Sequence, residues 1–362
     1  MHKKILFLIG HFGIGGKERQ LVEMILGLED SRYELFLFMK SSNQIFINKI
    51  DRKIKEIQTL NLQNFNIFNI IELNKFVNRI EPDIIFSLSK TTSHFALIIK
   101  LLFKKNYRLI NASIRNAPKT FNMYLKIERF LYNIYKDVVA NSYSGLLAYN
   151  QLGKSGRHIL HNGFDMNRVP TDSKIKLRLN LGLQEKFLVT MVGSMSDRKD
   201  QTSLIRAANI VLKNNYDVLF ILIGDGPKRP LYENLINHLN LGDQVKILGE
   251  IENVESYLKA SDISVLCSAK SHGEGIANVL IESLACGTPI IATDNGGSKE
   301  VLNDNFNGFL IENGDYETLA DKLIHLKNNP EKLKTFSFNG METVMKYFSV
   351  DKMISSFEDI LN

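Results

Sequence analysis

The sequence predicts an α/β protein made of two successive parallel-sheet domains, and three observations carry that expectation. A chain of 362 residues exceeds the usual size of one hydrophobic core. Its 44% hydrophobic content is enough to build two. Short apolar runs alternate with amphipathic segments, the pattern of βαβ units, and the alternation occurs twice, on either side of the polar stretch "HNGFDMNRVPTDSKIK" (161–176).

The chain begins "MHKKILFLIGHFGIGG". Two lysines before an apolar run have the look of a secretion signal, but the run, about six residues long, ends in glycines and reads as a first buried strand. "ELFLFM", "DIIFSL", "YRLINA", "DVVAN" and "RHILH" read as the further strands of the first half. Between them "KERQLVEMILGL" and "LNKFVNRI" carry apolar residues at helical spacing. In the second half "FLVTMVG", "DVLFILIG", "QVKILG", "DISVLC" and "PIIAT" repeat the scheme. No uncharged apolar stretch approaches the ~20 residues that a membrane-spanning helix needs. Cys267 and Cys286 sit in core-like contexts without paired or metal-ligand spacing, which points to a reduced cytosolic compartment. The net charge of +6 divides unevenly: residues 1–165 carry 24 Lys and Arg against 13 Asp and Glu, and residues 166–362 carry 21 against 26. One half is basic and the other mildly acidic.

Ligands of open parallel sheets bind at the carboxyl ends of strands, so the loops that follow each strand matter most. The first, "GHFGIGG" (10–16), runs into a helix near Lys17 whose N-terminus offers N–H groups to a phosphate. It lacks the G-x-G-x-x-G spacing of a dinucleotide loop, and a tight turn accounts for its glycines equally well. The second, "GSMSDRKDQTSLIRAA" (193–208), places Arg198 and Lys199 before a helix with Asp200 near its start. This is a diphosphate clamp or a solvated charged turn. The third, "IGDGP" (223–227), is ordinary turn chemistry. The fourth follows "DISVLC" and passes Gly273, Glu274 and Gly275 into a helix. Its first N–H groups are expected from Ile276, Ala277, Asn278 and Val279, and with the helix dipole they favour an anion. Glu282 lies eight residues beyond Glu274, a rise of ~12 Å on an ideal helix, comparable to the separation of the two ends of a nucleoside diphosphate sugar. A carboxylate accepts hydrogen bonds from vicinal hydroxyls, so one acid suits a sugar and the other a ribose. An exposed place on an amphipathic helix is the plainer account of Glu282.

"EGIANVLIE" (274–282) resembles the E-x7-E motif of the family-4 retaining glycosyltransferases, and "ESLACGTPIIATDNGGSKEVL" resembles its continuation. The similarity extends over nearly the whole chain through "GGKERQLVEMILGL", "VVANSYSG", "HNGFD", "VGSMSDRKDQTSLIRAA", "LIGDGP" and "VKILGEIENVESYLKASDISVLCS". The resemblance implies the GT-B fold, two Rossmann-like β/α/β domains with parallel sheets facing across a cleft. Residues 1–167 would form the acceptor domain and 168–345 the nucleotide-sugar donor domain, with a helix in 346–362 returning to the first. Carried over by position, it gives Lys199 the pyrophosphate, Glu282 the ribose hydroxyls and Glu274 the transferred sugar. The N–H groups of Gly275 to Asn278 would bind phosphate or sugar, with Val279 beside them, and Gly15 and Gly16 would close over the diphosphate.

Many relatives carry an arginine where this chain has Ser194, so one cationic contact to the leaving diphosphate is missing here or is replaced by Arg198. Many also carry a histidine after the "PDIIF" strand; here His94, unless it only begins the next helix, and His11 are the candidates, and Arg115 lines the acceptor pocket or is a solvated loop arginine. The implied reaction is transfer with retention, in which the diphosphate leaves, the acceptor attacks from the same face, and no cofactor or metal is required. Charge stabilisation on the leaving phosphates would then fall to Lys199, Arg198 and the helix N-terminus.

Between Lys100 and Lys136 nine Lys and Arg are interleaved with Phe103, Tyr107, Phe121, Tyr124, Phe130, Tyr132 and Tyr135, against the single acid Glu128. Such composition suits an anionic membrane surface, and equally a core of aromatics under a solvated basic face. The expected partners are a nucleotide-sugar donor, most of all a UDP-sugar, and a saccharide acceptor, lipid-linked in the membrane reading. The place would be the cytoplasm, at the inner face of the plasma membrane. Nucleic acid is disfavoured, since no binding motif for it is visible. A nucleotide-sugar epimerase and a non-catalytic nucleotide-sugar-binding protein are the alternatives on the same architecture.

Overall fold

The computed structural model describes residues 2–13, 15–42, 44–60, 67–120, 122–183 and 186–362. The chain divides into two compact units, the first formed by residues 1–115, 121–163 and 350–362 and the second by residues 116–120 and 164–349.

The first unit holds a seven-stranded sheet of β1 (Lys3–Phe12), β2 (Tyr33–Ser42), β3 (Ile54–Thr59), β4 (Ile84–Ser87), β5 (Arg108–Ile114), β6 (Asp137–Ala140) and β7 (Arg157–Ile159). Its order is β3-β2-β1-β4-β5-β6-β7, and every pairing is parallel. The unbroken apolar run of β1 follows from its central place, because helices cover both faces. Ile5, Phe7 and Ile9 pack with Leu21, Met24 and Ile25 of the helix Gly16–Gly27, and with Phe357 of the C-terminal helix Val350–Leu361. Leu6 and Leu8 point the other way, against Phe76 of the helix Ile67–Ile80 and Ile99 of the helix Lys90–Leu102. The Phe357 ring meets Phe86 edge-on at 4.8 Å, which fixes the C-terminal helix to this sheet.

The second unit holds β8 (Phe187–Val192), β9 (Val218–Ile223), β10 (Val245–Gly249), β11 (Ile263–Leu266), β12 (Ile290–Thr293) and β13 (Gly308–Ile311). These are also all parallel, in the order β10-β9-β8-β11-β12-β13. Val189 and Met191 pack with Leu204 and Ala208 of the helix Gln201–Lys213, whereas Leu188 faces Leu177 and Leu258 on the opposite side. The α/β class with two parallel sheets is thus as the periodicity predicts, and their Rossmann-like form is as the resemblance implies. The two strands absent from that reading, β3 and β13, both close an edge of their sheet. An edge strand needs no long apolar run: β3 reads "IKEIQT" and β13 only "GFLI".

Each sheet reverses its strand order once, between β1 and β4 in the first unit and between β8 and β11 in the second. At such a switch point the two following loops diverge and leave a crevice at the carboxyl ends of the strands.

Candidate functional site

In the second unit the loops after β8 and β11 flank the switch point and are joined by backbone. Lys199 and Ser268 form an antiparallel bridge, the Asp200 N–H donates to the Cys267 carbonyl at 3.0 Å, and the Ala269 N–H donates to the Arg198 carbonyl at 3.0 Å. Asp200 caps the helix Gln201–Lys213 by accepting from the Ser203 N–H at 3.2 Å. That joining sets Lys199 Nζ 2.8 Å from Glu274 Oε1, with both side chains mostly buried. Ser268 Oγ donates to the same carboxylate oxygen at 3.2 Å. Burial pushes the Glu274 carboxyl up, but the Lys199 ammonium, the hydrogen bonds and nearby His272 outweigh it and hold the acid below its ordinary range. Burial lowers the His272 imidazole, which Glu274 only partly offsets. Arg198 and Ser194 stand on the exposed rim, and Ser194 Oγ lies 3.1 Å from Ser196 Oγ.

The loop bearing Glu274 is shaped by close backbone approach. A Cβ on Gly273 would lie 1.5 Å from the Ala117 carbonyl oxygen, and one on Gly296, at φ +60°, 1.9 Å from the Glu274 carbonyl oxygen. The Ala117 N–H donates to Gly273 at 2.9 Å and the Gly297 N–H to Glu274 at 3.1 Å, so segments 116–117 and 296–297 hold this loop from two directions. Asn295, fully buried, donates to the carbonyls of Ala269 at 3.2 Å and His272 at 2.7 Å.

The helix after this loop runs Asn278–Ala285, with Ala277 as its cap. Ile276 and Ala277, expected inside its first turn, therefore precede it, as does Gly275. Glu274 bridges to Asn116 in extended conformation, so the eight residues to Glu282 do not span an ideal helical rise. Glu282 is buried, contrary to the expectation for an amphipathic helix. Arg168, which ends the short turn Met166–Arg168, reaches it at 3.3 Å and also pairs with Glu255 of the helix Val254–Ala260. The Arg168 guanidinium lies 4.6 Å from the Phe164 ring centre. Two buried carboxylates thus share one stacked cation.

In the first unit Gly15 and Gly16 open the helix Gly16–Gly27 at the switch point beside β1; Ile14 lies outside the described residues. A Cβ on Gly15 would lie 2.6 Å from Glu18 Oε2. His11, at the end of β1, is exposed. Arg115, after β5, donates to Asn162 Oδ1 at 3.1 Å; burial lowers its guanidinium to about 10, with Glu18 partly opposing. His94 sits within the helix Lys90–Leu102, with Nδ1 2.7 Å from the Tyr135 hydroxyl and Nε2 3.2 Å from Glu128 Oε1. Both ring nitrogens are therefore engaged in a buried polar cluster.

Ser268, His272, Asn295, Arg168 and Glu255 were not singled out in the sequence. Ser268 and His272 lie six and two residues before Glu274 but carry no motif of their own, whereas Asn295, Arg168 and Glu255 lie far in the chain from the acid or loop they support and are brought there only by a pairing of segments.

Among known proteins, residues 173–343 match the family of glycosyl transferases group 1. The chain is 31% identical over 188 residues to N-acetyl-alpha-D-glucosaminyl L-malate synthase of Bacillus anthracis, covering 52% of this chain and 48% of that protein. It is 28% identical over 208 residues to the UDP-Gal:alpha-D-GlcNAc-diphosphoundecaprenol alpha-1,3-galactosyltransferase of Escherichia coli, covering 56% and 53%. The match thus spans about half the length of these relatives. In fold, the chain superposes on Anabaena HepE, solved in complex with UDP-glucose, with a TM-score of 0.87 at 24% identity over 99% of both chains. The fold is GT-B.

Proposed function

We propose, for a chain whose residues 173–343 form a glycosyl transferases group 1 domain, that the protein moves a sugar with retention from a nucleotide-diphosphate sugar, a UDP-sugar first of all, to a hydroxyl of a lipid-linked saccharide. The product belongs to a cell-surface polysaccharide or glycan, made in the cytoplasm at an anionic membrane surface. One observation carries the reading: an ammonium and a carboxylate, Lys199 and Glu274, meet at 2.8 Å where the loops of the switch point diverge. A diphosphate would draw Lys199 to itself, and Glu274 would accept from hydroxyls of the sugar attached to it. Glu282 would take the ribose hydroxyls. The relatives support the donor and acceptor classes, since one of them is a galactosyltransferase named for UDP-Gal and a diphosphoundecaprenol-linked GlcNAc.

In the reaction the bond from the sugar's anomeric carbon to the phosphate oxygen breaks, and the electron pair leaves with the nucleoside diphosphate. The acceptor oxygen bonds to that carbon on the same face, and its proton passes to the departing phosphate oxygen. The rate then depends on how well the negative charge of the diphosphate is met, here by Lys199, Arg198 and the N–H groups of Gly275 to Val279, with no metal or cofactor.

Transfer of radiolabel from a UDP-sugar to a second, lipid-linked molecule is the expected result. Label that stays on the nucleotide while the sugar changes its stereochemistry would instead establish an epimerase. Lys199→Ala should lower turnover by about two decades while weakening nucleoside monophosphate binding little, because the lost contact is to charge on the leaving group. Unchanged turnover at saturating donor would remove Lys199 from the site.

A further inference from the structure

We infer that the protein docks on an anionic bilayer through one face of its first unit, formed by the helix Met123–Leu131, the turn after it and the end of the helix Lys90–Leu102. This rests on the reading above only for its purpose, the approach to a lipid-linked acceptor. The surface itself stands on separate observations.

The helix Met123–Leu131 is amphipathic the wrong way round for a water-soluble surface. Surface helices turn their apolar stripe toward the core. Here Met123, Ile127 and Phe130, at spacings of four and three, are on one side and exposed, Met123 by 71% and Phe130 by 68%. The acid of the same helix, Glu128, is only 3% exposed and points inward, where it meets His94. Ile134 continues the exposed stripe past the helix end. Leu101, Leu102 and Phe103 are exposed as well, and Leu101 and Ile134 line one cavity of about 400 Å³, which places the two groups side by side. So many exposed large apolar side chains on one face exceed the scatter normal for a monomer.

Charge decides what covers them. Lys104, Lys126 and Lys136 are exposed on this stretch and Lys105 partly so. Between residues 100 and 136 the chain has no acid besides the inward Glu128, and Asp137 next to it is buried against Arg108. Apolar side chains rimmed by cations, with the acids of this stretch, Glu128 and Asp137, withdrawn, fit the interface of a bilayer carrying anionic headgroups. Two cations of the same stretch are not available to it. Lys100 donates to the Tyr107 carbonyl, and Arg108 holds Asp137 at 2.9 Å and the Ile360 carbonyl at 2.6 Å. Phe121 lies outside the described residues.

The test is flotation of the whole protein with vesicles of phosphatidylcholine alone and with about one third phosphatidylglycerol. Wild type should bind the anionic vesicles at least tenfold more tightly and come off as salt rises. Lys104→Gln, Lys105→Gln and Lys126→Gln should each cost about fivefold. Ile127→Ser with Phe130→Ser should lower binding to both vesicles, and because these side chains are exposed the melting temperature should not move. Lys100→Gln should change little, which separates this surface from a general effect of charge. Equal binding to both vesicles would overturn the inference. So would a concentration-dependent dimer or an RNA complex abolished by the same variants. UDP binding measured on the same samples separates the two conclusions: vesicle binding without UDP binding leaves the docking surface and removes the proposed donor site.

Discussion

Arg168 shows how a single residue can determine what a buried acid is able to do. Glu255 and Glu282 are both withdrawn from water, a costly place for two carboxylates, and the stacked Arg168 guanidinium pairs with both. That pairing holds the Glu282 carboxylate in one orientation, which in the proposed reading is the one that would accept from ribose hydroxyls. Arg168 would then act as a positioning residue for Glu282. Arg168→Met should weaken UDP by about tenfold and leave the 2′-deoxy analogue nearly unchanged, so that the preference of wild type for ribose disappears; Arg168→Lys should restore part of it. Calorimetry with the two nucleotides reads this directly. A variant that weakens both nucleotides equally would make Arg168 merely structural. The ribose role of Glu282 follows from the resemblance, but its burial and its pairing with Arg168 were not legible in sequence, since the expectation for an isolated Glu on a helix is exposure and Arg168 lies 114 residues away from it in the chain.

At the scale of elements, the helix Lys174–Leu181 that opens the matched domain is held by charge as much as by its apolar residues. Asp262 pairs with Lys174 at 2.7 Å and Arg178 at 2.6 Å and accepts from the Leu188 N–H at 2.8 Å, which ties this helix to the start of β8. Burial raises the Asp262 carboxyl, and Lys174, Arg178 and the Leu188 N–H overcome it, so the acid lies below its ordinary range in the folded chain. The sign follows from linkage. A depressed folded value means that the unfolded chain takes up the proton first as pH falls, so the stabilisation is complete above the ordinary aspartate value and is lost as pH drops through the folded one. Asp262→Asn should therefore cost about 2 kcal/mol at pH 7. It should also flatten the decline in stability below pH 4 seen for wild type in urea titrations. Equal pH dependence in the two proteins would show that the pair carries no such load.

The element scale is also where sequence reading succeeded and failed for plain reasons. Central strands such as β1 and β9 are buried on both faces and therefore announce themselves as apolar runs, whereas edge strands β3 and β13 do not. The start of the helix at Asn278 was placed two residues early because Ile276 and Ala277 continue the apolar pattern; that Glu274 is drawn into a bridge with Asn116 depends on a contact between distant segments.

At the scale of the whole molecule, the uneven charge visible in composition acquires a location. Part of the surplus in the basic half is internal, as Arg108 and Lys100 show, and part lies on the exposed face around Lys104, Lys105 and Lys126. The loops after β8 and β11, by contrast, stand out in the sequence through the resemblance of their segments to a known family. What they could not convey was the Lys199–Glu274 pairing, which exists only because β8 and β11 are neighbours across the strand reversal.

The central claim is that the two acids of the second unit serve opposite ends of a nucleotide-sugar donor, and calorimetry of Glu274→Ala and Glu282→Ala tests it most directly. Glu282→Ala should weaken UDP and the whole UDP-sugar by similar factors of about one to two decades, since both ligands share the ribose. Glu274→Ala should leave UDP nearly unaffected while costing most in turnover of the intact donor. Loss of UDP binding in Glu274→Ala, with Glu282→Ala silent and both proteins folded, would contradict the account and reverse the donor along the site.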